Sequence, residues 1–480
     1  MMADLRQLPP ESVLFVSGEN PSVYFHVSGL TMLDARDRPD FGFETFREHI
    51  ESRLATIPQF RWRLHEVPFG LDLPYWVEDE EYHLDNHLHR IAVPSPGGRE
   101  ELGELVSYLY TRHLDRRRPL WETWFIEGLD DCRFAVFTKV HHCMFDGQAA
   151  AKLVEVISDF EADAAPRPVD PEIALARPGK PPARWQESVN AMRHLSEFPL
   201  RATREVLGFV QASRRVRRTE PTGSTDRPRA PESLFNRDIT GDRGFVFGSL
   251  PLTDVKAVKD HFGVTVNDVV LAVVGGSLRS YLLRHDQLPD RPLRSSIAVS
   301  LRTDGDDHFS NRVTTASITL ATDLDDPVER LRTIAADTEQ AKRHARAGAK
   351  GLLELVAAMP PPLVSALTSV LPTEVSWQIA HANVIVSSVR GSPFPLYMAG
   401  ARTTAMYPMS IITTGGALNI TCMSYADQID VGMTIEPRLV ADPWSLVDGM
   451  ADELRAYHAL IPTRRRRAKR TAGRPPKGRQ

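Results

Sequence analysis

The sequence predicts an α/β fold built in two halves, and three observations carry that reading. Runs rich in β-branched and aromatic residues, such as Phe134–Val140 and Ile297–Leu301, have strand character. They alternate with segments whose apolar residues recur at helical spacing, such as Phe43, Phe46, Ile50 and Leu54, and that alternation implies layered strands and helices. A proline-rich stretch after Phe160 divides the chain, and 480 residues are comfortable for two domains. The expected organisation is a first domain over 1–160, a linker with a basic helix over 161–234, a second domain over 235–462 and a disordered basic tail over 463–480.

In chain order, Ser22–Leu30 reads as a strand with a glycine break, in which His26 is structural. A helix over Phe43–Leu54 follows, then a half-buried strand over Phe60–Leu64, where Arg61 and Arg63 alternate with Phe60, Trp62 and Leu64. His83, His87 and His89 share one face if their stretch is extended. Nothing else supports convergent metal ligation, so they are taken as strand residues and no metal is expected. Glu100–His113 spaces Leu102, Leu105, Leu109 and Tyr110 as a helix. Pro119-Leu120-Trp121 reads as a packed turn around a buried Trp. Leu153, Val156, Ile157 and Phe160 mark one side of a helix running from about Gly147 to Phe160. Trp185–Val216 reads as a helix kinked near Pro199 that ends in four arginines around Val216. Such a basic amphipathic helix either lies on a membrane interface or packs on the body with a charged face in water.

In the second half, Phe245–Leu250 reads as a strand and Thr253–His261 as a short helix stopped near Gly263. Thr265 and Asp268 have capping-box spacing at the start of a long helix, and the run Val269–Val274 implies that this helix is buried. Further strands are expected at Ile297–Arg302, Val384–Gly391, Leu418–Tyr425 and Val431–Ile435. Pro327–Arg346 is a polar helix with Asp326 as its N-cap, and Trp444–Leu460 is the closing helix.

Apolar and charged content are those of an ordinary globular protein. The three cysteines, Cys132, Cys143 and Cys422, form no metal or redox spacing, which fits a reducing cytoplasm. The N-terminus lacks the apolar core of a signal peptide, and no stretch approaches the roughly 20 apolar residues of a bilayer span, so any membrane contact is expected to be peripheral. The formal charge of −4 hides an asymmetry: nine of the 58 basic residues lie in Arg464–Gln480, with no acid. Such a run attracts anionic lipid at about 1 kcal/mol per basic residue near the surface. It can also bind nucleic acid weakly, without specificity.

The stretch richest in chemistry is Val140-His141-His142-Cys143-Met144-Phe145-Asp146-Gly147. It closes a strand and leads into a helix. An imidazole titrates near neutrality and can take a proton from a hydroxyl as that group attacks a carbonyl. Side chains alternate across a strand, so His141 and His142 face opposite ways and only one can serve a given cavity. Asp146 can orient a histidine, brace the loop through an arginine, or cap the helix. Gly147 permits a tight turn and close approach of the backbone.

His141-His142-x-x-x-Asp146-Gly147 resembles the active-site motif of the acyl-CoA-dependent acyltransferase superfamily. The text around it narrows the likeness. Leu114-Asp115-Arg116-Arg117-Arg118-Pro119-Leu120-Trp121-Glu122, Ile126-Glu127-Gly128-Leu129 and Asn267-Asp268-Val269-Val270-Leu271-Ala272 resemble the bacterial wax ester synthase/diacylglycerol acyltransferase family, as does Val299-Ser300-Leu301-Arg302. These matches span most of residues 5–460. Two departures stand out: Ser310 replaces a family Gly before Asn311, and Ser388, Arg390 and Ser392 occupy positions where the family usually shows Asn and two Pro.

The resemblance implies two chloramphenicol acetyltransferase-like domains with a channel between them. It implies catalysis by the second histidine, His142, with His141, Asp146 and Gly147 completing the motif. Asn267 and Asp268 would wall the site at a helix N-terminus, and Arg302 would brace Asp146. The expected reaction joins a long-chain acyl group from acyl-CoA, as co-substrate, to diacylglycerol or a long-chain alcohol, with no cofactor. A peripheral place on membrane or lipid inclusions follows from those substrates. Two other readings stand beside it: a condensation or polyketide-associated acyltransferase using carrier-bound acyl groups, and a lipid-surface protein without catalysis.

Overall fold

A computed structural model describes residues 6–9, 12–130, 133–144, 153–165, 178–193, 196, 229–300, 313–348 and 382–462. Among the described residues the chain forms a mixed α/β structure around two six-stranded sheets and one small three-stranded sheet. The small sheet joins β1 (Arg6–Gln7), β4 (Tyr75–Glu78) and β3 (Trp62–His65), in that order.

The first large sheet is built from β2 (His26–Asp34), β5 (Leu88–Ala92), β6 (Trp121–Glu127) and β7 (Phe134–His141), together with β12 (Tyr397–Met398) and β13 (Ala401–Met409). Its order is β12-β13-β2-β7-β6-β5. β2 and β7 run antiparallel with His26 opposite His141. One face of this sheet carries α2 (Phe43–Leu54), whose Phe46, Ile50 and Leu54 pack with Trp121, Phe125, Val136 and Val140. The other carries α3 (Arg99–Tyr110), whose Leu102, Val106, Leu109 and Tyr110 pack with Trp124, Ile126, Ala135 and Phe137. Burial on both faces explains why β7 reads as a nearly continuous apolar run.

The second large sheet has the order β10-β9-β11-β14-β15-β8. Its strands are β8 (Gly244–Pro251), β9 (Arg294–Ser300), β10 (Val313–Thr319), β11 (Val384–Arg390), β14 (Leu418–Tyr425) and β15 (Gln428–Ile435). Around it lie α4 (Leu252–Phe262), α5 (Val266–Arg284), α6 (Pro327–Gly348) and α7 (Trp444–Ala459). α5 is apolar on every side and lies in the core, with Val269 to Val274 all buried. Contrary to the sequence reading, it is long and apolar enough to cross a membrane, but most of that stretch is buried inside the protein.

β12 and β13 come from the second half of the sequence yet complete the sheet of the first. The two sheets therefore do not separate at one point near 235. Where they meet, Gly103 lets α3 approach β8, since a Cβ there would sit 2.8 Å from the Phe245 carbonyl oxygen. Gly432 lets β15 approach β13, since a Cβ there would overlap the Pro408 carbonyl. Asp430 pins the junction: it accepts from the Met406 N–H at 2.7 Å and from Ser249 Oγ at 2.6 Å. Burial lifts its carboxyl to about 7 against the pull of those donors.

Several sequence expectations need correction. The strand expected over Phe60–Leu64 begins two residues later: Pro58–Arg61 forms a 3-10 turn, which suits a proline at its first position, and β3 starts at Trp62. His83, His87 and His89 do not share a strand, because Leu84–Asn86 is a 3-10 turn and β5 starts at Leu88. His87 Nδ1 instead lies 2.8 Å from the Trp121 carbonyl oxygen, and its ring stacks on Trp121. The helix after the histidine motif, described over 153–157, stops before Phe160, which is exposed. There the backbone of Asp159 pairs with Tyr397, while its carboxylate pairs with Arg53.

Candidate active site at the end of strand β7

The backbone at the end of β7 is held from both sides. The His141 N–H donates to the Leu120 carbonyl at 2.9 Å, and the His142 N–H donates to the Phe25 carbonyl at 2.7 Å. The turn then closes, with Met144 N–H donating to the His141 carbonyl at 3.0 Å. Trp121 supports this corner from below. It is buried, and its indole N–H donates to the Phe60 carbonyl at 2.9 Å. That is the packed turn expected around Pro119-Leu120-Trp121.

The two histidines have different surroundings. His141 is buried. The Cys143 N–H donates to its Nδ1 at 3.2 Å, which requires a lone pair there and places the ring proton on Nε2. Nε2 faces a Glu19 carboxylate oxygen at 3.4 Å. His142 is only half-buried, and its ring stacks on Phe15 with centroids 4.3 Å apart. His142 lies one residue past the end of β7, at the start of the turn.

Glu19 is a site residue that the sequence did not disclose. One of its oxygens faces His141 and accepts from the Phe25 N–H at 3.0 Å; the other accepts from Arg116 at 2.8 Å. Arg116 also donates to the Val16 carbonyl, within α1 (Val13–Ser17). Burial works to raise the Glu19 carboxyl, but His141, the Phe25 N–H and Arg116 outweigh it and hold it far below the usual carboxylate range. The carboxylate thus holds His141 directly. It reaches His142 through Phe25, whose N–H it binds and whose carbonyl receives the His142 N–H. The available signals were a turn-like Asn20-Pro21 after it and an arginine run at 116–118, and neither indicates a pairing 97 residues apart.

Two residues before His141, Lys139 is fully buried with its ammonium donating to the Arg112 carbonyl at 2.6 Å and lying 3.4 Å from Glu122. Burial lowers it to about 8. Cys143 is buried in an apolar cluster, which pushes its thiol up and disfavours a thiolate nucleophile.

At the start of α5, Asp268 closes the expected capping box: it accepts from the Thr265 N–H at 2.9 Å, and its own N–H donates to Thr265 Oγ1 at 3.2 Å. Asn267 instead accepts from Ser388 Oγ at 2.9 Å, so α5 is tied to the segment of β11 where this chain departs from the family pattern. Asp146, Gly147 and Arg302 lie outside the described residues.

A strand ending at the first of two adjacent histidines, with two six-stranded sheets among the described residues, defines the chloramphenicol acetyltransferase-like class of acyltransferase fold. The starter condensation domain of rhizomide synthetase shares it, with a TM-score of 0.54 at 11% identity over 95% of this chain and 94% of that one. At that identity the likeness shows the fold alone. A wax ester synthase/diacylglycerol acyltransferase from Marinobacter aquaeolei VT8 has a TM-score of 0.68 at 30% identity, covering 94% of this chain and 98% of its own. The O-acyltransferase WSD of Acinetobacter baylyi is 32% identical over 95% of this chain and 98% of its own. A Mycobacterium tuberculosis chain with a provisional diacylglycerol O-acyltransferase name is 33% identical, over 94% and 90%. The family description "Wax ester synthase/diacylglycerol acyltransferase catalytic domain" matches residues 8–270, and "WS/DGAT C-terminal domain" matches 309–458. The chain belongs to the wax ester synthase/diacylglycerol acyltransferase family and is an O-acyltransferase.

Proposed function

We propose that this enzyme transfers a long-chain acyl group from acyl-CoA to the hydroxyl of diacylglycerol or a long-chain alcohol, giving triacylglycerol or wax ester, with His142 as general base. The observation that carries the choice of base is the contrast between the adjacent histidines. His141 is buried and has both ring nitrogens committed, one to the Cys143 N–H and one toward Glu19. It has no lone pair to offer a substrate. His142 stands at the same strand end, half-buried, with its backbone fixed.

In the proposed reaction His142 takes the hydroxyl proton as the acceptor oxygen attacks the thioester carbonyl. The tetrahedral oxyanion collapses, the C–S bond breaks, and the CoA thiolate receives the proton that His142 holds. Asp146 is assigned to brace the loop, with Arg302 as its partner, and the Gly147 N–H to donate to the oxyanion. Asn267 and Asp268 are assigned to the wall of the acceptor side, Asp268 through the helix cap it closes. No cofactor enters these steps. Acceptors of this kind reside in membranes or lipid inclusions, so a cytoplasmic, peripheral location belongs to the same proposal.

The test is ester formation from labelled palmitoyl-CoA with diacylglycerol or hexadecanol offered separately. His142→Ala is expected to lower turnover by about 10²- to 10⁴-fold. A folded wild-type protein that makes no ester from either acceptor overturns the proposal. Transfer only from a carrier-protein thioester would point to the condensation reading.

A further inference from the structure

The helix described over 184–193 is turned inside out. Its sequence, Arg184-Trp185-Gln186-Glu187-Ser188-Val189-Asn190-Ala191-Met192-Arg193, places Trp185, Val189 and Met192 along one stripe by the i, i+4, i+7 rule. In most globular proteins such a stripe faces the core. Here it faces outward: Trp185 is 66% exposed, Val189 50% and Met192 63%. The opposite side fastens the helix to the body. Glu187 is 2% exposed and its carboxylate lies 2.7 Å from His65 Nε2, at the end of β3. Ala191 is buried beside it, and Asn190 Nδ2 lies 3.5 Å from the Tyr75 hydroxyl on β4. The helix packs on the body, but the face it leaves outward is apolar.

Along the described segment the outward-facing charges have one sign. Within 178–193 the sole acid is Glu187, which is turned inward, whereas Lys180, Arg184 and Arg193 are exposed. A tryptophan-bearing apolar stripe with flanking cations matches helices that lie in the plane of a lipid interface, where the indole sits at the headgroup level and cations meet anionic headgroups. A water-facing helix of a soluble protein has no use for three large apolar side chains in a row.

We propose that the Trp185, Val189 and Met192 face is the surface by which this enzyme docks onto anionic phospholipid. This deepens the reading above, because the acceptors proposed there partition into such a surface. The docking helix sits on the small sheet of the first half, and that sheet shares the Leu8, Val13, Trp62, Leu64, Trp76, Leu120 and Cys143 cluster with the turn after His142.

The experiment is flotation of the full chain with phosphatidylcholine vesicles, with and without 30% phosphatidylglycerol, read separately from ester formation with a detergent-dispersed acceptor. Wild type is expected to float with the anionic vesicles. The triple variant Trp185→Ser/Val189→Ser/Met192→Ser is expected to float at least ~10-fold less while retaining activity in detergent. Lys180→Glu/Arg184→Glu is expected to lose the preference for anionic vesicles. Unchanged flotation of the triple variant overturns the proposal. So does a wild-type dimer that the triple variant turns into a monomer, because the face then belongs to a second copy. Absence of activity in detergent for wild type would count against the proposed reaction and leave the docking result standing.

Discussion

The end of β7 and the start of α5 both carry motif residues, and they are held in opposite ways. At β7 the partners come from across the chain: Glu19, Phe25, Arg116 and Leu120 converge on His141 and His142. At α5 the partners are neighbours: Thr265 and Asp268 satisfy one another three residues apart, with Ser388 added from β11. Largely buried charges such as Glu19 tolerate little rearrangement, because each group left unpaired away from water is costly. A cap at a helix end frays and re-forms with modest loss. The first region should therefore report on chemistry when disturbed, and the second mainly on stability.

The largest departure is expected at Glu19. Glu19→Gln keeps an acceptor for the Phe25 N–H but removes the charge that faces His141 and Arg116. Small displacements of a catalytic group are expensive, so kcat should fall about 10- to 100-fold while KM for acyl-CoA stays within about threefold. Glu19→Asp should recover part of it. A folded Glu19→Gln enzyme with wild-type kcat would erase the contrast between the two regions.

Lys139 sharpens the same contrast through pH. Its folded value is lowered to about 8 from an ordinary 10.5, so between those limits the unfolded chain binds more protons than the folded one. Stability should therefore rise with pH across that window, and the penalty of burying the ammonium is fully present below it. Thermal unfolding of wild type and Lys139→Met from pH 7 to 10.5 isolates the effect, because the other alkaline titrations are common to both. The difference between the two proteins should shift in favour of wild type as pH rises. A constant difference would mean that the donors' acceptors, the Arg112 carbonyl and Glu122, offset burial completely.

This division also explains what was legible in the sequence. The helix at Phe43–Leu54 and the Thr265–Asp268 box were readable because their signals lie within one or two turns of chain. The histidine motif was readable because its members are contiguous. Glu19 was not, because its partners lie at 116 and 141, and an acid before Asn-Pro looks like any turn. The insertion of β13 beside β2 was equally hidden. Its strand pattern is ordinary, and nothing local tells it to leave the sheet of its own half. The exposed stripe of the helix at 184–193 had a legible period but not a legible direction, because the periodicity is the same whichever face the body takes.

At α5 the effects should be smaller and thermodynamic. Thr265→Ala removes the hydroxyl that accepts from the Asp268 N–H and is expected to lower stability by about 1 kcal/mol, measured by denaturant unfolding, with kcat per folded molecule unchanged. A large loss of kcat would show that the helix start is coupled to the chemistry as tightly as β7 is.

The finest test separates tethering from substrate contact at Asn267. The Ser388–Asn267 hydrogen bond is exposed, so breaking it from the serine side should cost little. Ser388→Ala is therefore expected to leave KM for both acceptors within about twofold. Asn267→Ala removes the same bond and also the amide proposed to wall the acceptor side. If that wall role is correct, its KM for the acceptor should rise by about two- to tenfold, the range of one hydrogen bond, with kcat little changed. Identical behaviour of the two variants would reduce Asn267 to a tether. The pair is informative because the serine stands where the family usually carries asparagine. Ser388→Asn puts back the longer amide against Asn267, and a change in the ratio of diacylglycerol to alcohol use would place acceptor choice at this contact.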